Sequence, residues 1–134
     1  MKKTIFSVIL FLTLFGFVFF SHNLLMKVCK TEFNYCNTIE NCIDKIDKDD
    51  TTSPEWDIAA KTASELMTYV EKYYGILSVY ISHETLDLLD NEVSKLIAYI
   101  KEKDTIESLA SVSTIESYIR TIKSLQQIKI QNIM

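Results

Sequence analysis

With 134 residues and a net charge of −4, from 14 Lys and Arg against 18 Asp and Glu, the chain has room for one small domain. It has no cationic excess of the kind that nucleic-acid phosphates demand. Setting Lys2 and Lys3 aside takes −4 to −6, which also argues against a polybasic grip on anionic lipid. Two glycines and one proline give too little punctuation for strand-and-turn architecture, so the expected fold class is all-α.

Met1-Lys2-Lys3 precedes Thr4–Met26, 23 residues without a formal charge, which hold six of the seven phenylalanines. As a helix this stretch is about 34 Å long, enough to cross a hydrocarbon core of about 30 Å. Only a helix keeps every backbone N–H and C=O satisfied in lipid. A cleaved secretory signal would need small residues before its cut. No alanine occurs before Ala59, and a cut after Ser21 would place Phe19 at the outer small position. A lipoprotein cut before Cys29 fails on Met26-Lys27-Val28, and no glutamate follows in the manner of a pilin leader. The expectation is therefore an uncleaved transmembrane signal anchor over residues 1–26, ahead of a helical body over 27–134. Lys2, Lys3 and the α-amine outweigh Lys27 and Lys30 slightly, favouring a cytoplasmic N-terminus and an extracytoplasmic body at the cell membrane.

In the body, Leu25, Val28, Glu32, Tyr35, Ile39, Cys42 and Ile46 recur at alternating spacings of three and four, with Cys29, Phe33, Cys36 and Ile43 beside them. This stripe continues the anchor helix out of the membrane, to about residue 47. A polar loop, Asp47–Thr52, follows. A second helix is expected over 54–81, with Ser53 or Thr52 as cap and Glu55 completing a box with Thr52. Gly75 marks a kink or a close contact there. At about 100° per residue, the stripe of Leu66, Val70, Tyr73, Leu77 and Tyr80 points about 150° away from that of Leu86, Leu89, Val93, Leu96 and Ile100. One straight helix cannot bury both, so the chain breaks near Ser82, which caps a third helix over 83–103. Asp104 caps a fourth over 105–131, boxed with Glu107 and carrying Ile106, Leu109, Val112, Ile115, Ile119 and Ile122. The period then blurs among Leu125, Ile128, Ile130 and Ile133. Short connections imply antiparallel neighbours, hence a transmembrane helix continuing into an up-and-down bundle of three to four helices.

Candidate chemistry is sparse. Cys29, Cys36 and Cys42 share one helix at separations of about 9–10 Å, too far for a bridge within it. They either form an intermolecular disulfide between parallel copies or, the weightier option, sit as small apolar residues in a helix interface. His83-Glu84-Thr85-Leu86-Asp87 has Asp87 where a zincin helix places its second histidine. His83 and Glu84 are thus a functional or structural turn, the structural option having more behind it. Asp44, Asp47, Asp49 and Asp50 lack the spacing and the glycine of a calcium loop and read as a solvated one. The seven tyrosines either line a ligand pocket or, the stronger option, sit at the core margin with wet hydroxyls.

Several short motifs resemble a known family. They are the Lys-Lys apolar start, Glu55-Trp56 and Tyr80-Ile81-Ser82-His83-Glu84, then Leu96, Tyr99-Ile100-Lys101 and Asp104, and the closing Gln131-Asn132-Ile133-Met134. In these the chain resembles the small clostridial and related Firmicute proteins of domain of unknown function 4363. That family usually reads Phe-Ile-Asp-His-Glu at the turn, so Tyr80 and Ser82 depart from it. The resemblance implies a membrane-anchored helical body and brings no known activity.

No catalytic residue, cofactor or metal is assigned. The leading expectation is a non-enzymatic envelope interaction or structural protein, held to the membrane by its N-terminal helix and meeting a protein partner or further copies of itself. The alternatives are a sensor-like module with a small ligand between its helices and a hydrolase using His83 and Glu84.

Overall fold

The computed structural model describes residues 1–133, the side chains of residues 129, 130 and 133 excepted. Met134, the end of the closing motif, and the burial of Ile130 and Ile133 therefore lie outside the described residues. Four helices run in chain order: α1 (Lys2–Asp44), α2 (Glu55–Leu77), α3 (His83–Lys101) and α4 (Thr105–Ile133). Neighbours in the ring α1–α2–α3–α4–α1 touch, and among the described residues neither diagonal pair does. This is an up-and-down four-helix bundle in which α1 also supplies the apolar N-terminal extension.

The core follows the apolar periods. On α1, Leu25, Val28, Cys29, Cys36, Ile39, Cys42 and Ile43 are buried, and Tyr35 and Phe33 pack against them partly covered. α2 contributes Ala59, Ala63, Leu66 and Val70, and α3 contributes Leu86, Leu89, Val93, Leu96 and Ile100. The seam of α4 runs through Ser108, Val112, Ile115, Ile119 and Ile122. Ile106, expected in that seam, is 70 % exposed. It stands two residues before Ser108, roughly 200° round the helix from it and so on the opposite side. Small hydroxyl residues hold the inner positions instead, and the Ser111 hydroxyl donates to the Glu92 backbone carbonyl at 3.2 Å. That contact ties α4 to α3.

The connections differ from expectation in detail. α1 ends at Asp44, and the loop after it folds around Asp50. The Asp50 carboxylate accepts from both the backbone N–H and the hydroxyl of Thr52 at 2.8 Å, which holds the Thr52 side chain within the loop, and the expected box with Glu55 does not form. Ser53 Oγ instead accepts weakly from Glu55 N–H at 3.3 Å. The Trp56 indole N–H donates to the Asp50 carbonyl at 2.9 Å, and the Lys103 ammonium reaches the Thr51 carbonyl, so one end of the bundle is cross-tied. α2 stops at Leu77 rather than Ile81, and residues 78–81 turn tightly so that Ile81 is buried. Ser82 caps α3 by accepting from Thr85 N–H, and Asp104 accepts from Glu107 N–H at 3.0 Å, both as the sequence indicates. Gly75 makes no close contact, because a Cβ built there meets nothing within 4 Å. Gly75→Ala is accordingly expected to stabilise the bundle by about 0.5–1 kcal/mol, read as a higher urea midpoint.

At the other end everything stops at one level. The Ser21 hydroxyl donates to the Tyr80 hydroxyl at 2.7 Å, and the Tyr80 ring lies 6.0 Å from Phe17. On α4, Arg120 stacks over Phe33 with 5.7 Å between guanidinium and ring centre. From there α4 runs about 20 Å further, back toward residue 20 of α1. Burial thus begins at Ser21, and every residue from Lys2 to Phe20 is exposed, Phe17 included.

Candidate functional site

The predicted turn residues form a surface cluster that joins α2 to α3. Tyr74, near the end of α2, donates its hydroxyl to Asp87 Oδ1 at 2.5 Å and lies 3.3 Å from His83 Nδ1. Ser82 and Thr85 share a second hydroxyl contact at 2.8 Å beneath it. Glu84 stands in the first turn of α3, where its charge suits the helix start, and the cluster closes through Asp87 instead. The Asp87 carboxylate pushes the Tyr74 phenol above its ordinary range, away from the value a phenolate base or nucleophile would need. Chemically the trio is a clasp on the hairpin. Asp87 was visible in the sequence, but its partner lies 13 residues upstream, across the turn.

All three cysteines face inward, with Cys36 at 0 %, Cys29 at 2 % and Cys42 at 6 % exposure, and all are free. Burial pushes the Cys29 and Cys36 thiols up to about 12. Burial, followed by the neighbouring Glu55, raises Cys42 as well. Burial and the upward shifts together disfavour a thiolate that could reach a second copy. The expected outcome is no reaction with an aqueous thiol reagent until the protein is unfolded, and no disulfide-linked dimer on non-reducing gels of native membranes.

Among the described residues the one buried acid is Glu32, at 2 % exposure in the middle of the α1 stripe. Its Oε1 has no hydrogen-bond partner, and burial pushes its carboxyl up to about 8. The sequence places Glu32 in the apolar stripe. That it is an acid among apolar positions, and so held neutral, is the part that only burial makes plain.

Tyr35, Tyr69 and Tyr73 run in a row along the α1–α2 face, with ring centres 5.8 and 4.8 Å apart. Lys72 sits 5.3 Å over the Tyr73 ring. Tyr35 and Tyr69 line a surface groove of about 560 Å³ together with Lys61, Glu65 and Lys72. The groove is open to solvent, and the rings spend their faces on one another, at the core margin. Among the described residues no group of three His, Cys, Asp or Glu is placed to hold a metal ion.

One described helix, α1, is long and apolar enough to cross a membrane. Comparison with curated proteins and with solved structures finds no match. A family model does match, described as a domain of unknown function (DUF4363), over residues 20–133. The match starts one residue before burial begins at Ser21 and ends with α4. The chain belongs to the family of domain of unknown function 4363.

Proposed function

We propose that the protein is a membrane-anchored helical bundle of the cell envelope that acts by contact with other envelope components, or with copies of itself, rather than by catalysis. The observation that carries this is the bare half of α1. Val18, at 40 %, is its best-covered large apolar residue and Phe6 is 70 % exposed, in a stretch continuous with a well-buried bundle. Exposed apolar surface of that extent is covered by lipid or protein. Its length, its helical backbone and its freedom from charge favour lipid. The non-catalytic half of the proposal draws on the groups described above: the Tyr74 phenol and the thiols are all shifted toward their unreactive forms. Lys2 and Lys3 at the free end favour a cytoplasmic N-terminus with the bundle outside. Protease added to intact cells then digests the bundle. A bundle left whole until the cells are opened would reverse the orientation.

A further inference from the structure

The end of the bundle that faces the anchor carries apolar side chains which the core does not use. In and beside the α2–α3 turn, Val79 is 70 % and Ile76 48 % exposed, and Ile128 on α4 is 50 % exposed. Tyr80 belongs to the same level through its hydrogen bond with Ser21. By the register that sets Arg120 over Phe33, Ile128 falls near residue 25 of α1.

The length of the anchor gives these residues a use. Thr4–Phe20, the exposed apolar part, which meets the bundle through Phe17 at the Tyr80 ring, is 17 residues, or about 25 Å of helix. A hydrocarbon core is about 30 Å thick. The charge-free stretch runs on to Met26, so its last six residues, 21–26, already lie inside the bundle. If Lys2 and Lys3 stay in water on one side, the other boundary falls about 5 Å beyond Phe20, at the level of Val79, Tyr80 and Ile128. A little above it, Lys27, Lys30 and Lys123 converge on one groove between α1 and α4, at the height expected for lipid phosphates. The start of α3, with Glu84 in its first turn, follows this turn directly and lies on the helix diagonal to α1, the one that does not touch it.

We propose that the bundle is seated in the membrane surface: the Ile76–Tyr80 turn and α4 around Ile128 enter the headgroup–acyl boundary of the bilayer, and lipid, rather than a protein partner, covers them. This rests on the anchor proposed above. The bilayer therefore grips the protein at two places, the spanning helix and the base of the bundle. The bundle stands upright on the lipid instead of swinging from a stalk.

The single native tryptophan makes the test direct. Trp56 is buried at the far end of the bundle, tied to Asp50. The full-length chain is reconstituted in phosphatidylcholine vesicles whose acyl chains are brominated next to the headgroup. Two reporters are compared with the unmodified chain: Val79→Trp and Ile128→Trp, each with Trp56→Phe. Flotation is run on every sample. Expected is a loss of most of the emission for both reporters and unchanged emission for native Trp56. Reporters as bright as Trp56, on chains that float with the vesicles, would overturn the seating and leave the base to a protein partner or a second copy. Chains that do not float at all would overturn the anchor first, and the seating with it.

Discussion

Glu32→Leu is expected to stabilise the bundle by about 1–3 kcal/mol below pH 4.5, the cost of keeping an unsatisfied polar group out of water, and by more at neutral pH, where the titration of the carboxyl adds to it. Such a gain is unusual, since most core substitutions destabilise. It follows from the absence of any hydrogen-bond partner on Oε1 and of any cation among the causes that shift this carboxyl. The pH dependence carries a sign that few carboxylates share. The carboxyl goes from 4.5 in the unfolded chain to about 8 in the fold. Between those values the unfolded chain has released the proton and the folded one still holds it. The folded state binds more protons, so stability is greatest below the lower value and falls as pH rises through the window. The slope approaches about 1.4 kcal/mol per pH unit. The titratable groups coupled to Glu32 are Cys29, Cys36 and Tyr69, all shifted upward themselves, so they stay neutral across it. Urea unfolding of the detergent-solubilised protein at a series of pH values measures this directly. The difference between the parent chain and Glu32→Gln isolates the titration, and Glu32→Leu adds the relief of desolvation. A Glu32→Leu protein less stable than its parent would mean that the carboxyl has a partner.

Leu12→Arg is expected to strip the chain from membranes while leaving the bundle as stable as before. An arginine at the middle of a span costs about 2.5–3.5 kcal/mol on insertion scales, where leucine contributes about −0.5. The swap therefore shifts insertion by about 3–4 kcal/mol, more than a hundredfold in the equilibrium. Leu12 is 61 % exposed and touches no core residue, so the urea midpoint of the bundle has no reason to move. Flotation reads the first effect and unfolding the second. A loss of bundle stability in parallel with membrane binding would show that the two halves of α1 are coupled.

Much of this architecture is legible in the residues. The change of bearing between the Leu66–Leu77 stripe and the Leu86–Ile100 stripe places the break at Ser82, and the caps at Ser82 and Asp104 are where short polar residues precede apolar runs. What the sequence conceals has a common physical cause: local chemistry with two satisfactory outcomes. Thr52 could cap α2 or bond Asp50, and the loop takes the second. Ser108 and Ser111 could face water, yet they hold the α4 seam because α3 approaches closely there, while the more apolar Ile106 is left outside. Gly75 matches a kink signal and proves to be an ordinary helical residue. The Tyr74–Asp87 clasp spans a turn, so no local pattern announces it. Glu32 is the inverse case: its position is plain from periodicity, and its consequence follows only from burial.

Membranes from cells making the untagged protein, washed at alkaline pH and then extracted with detergent, decide whether the bundle stands on a retained helix. The intact mass of the recovered chain should begin at or next to Met1, and the protein should stay with the lipid until detergent is added. A shorter chain starting after Phe20 and leaving in the wash would show that the apolar half of α1 is an export signal rather than a tether.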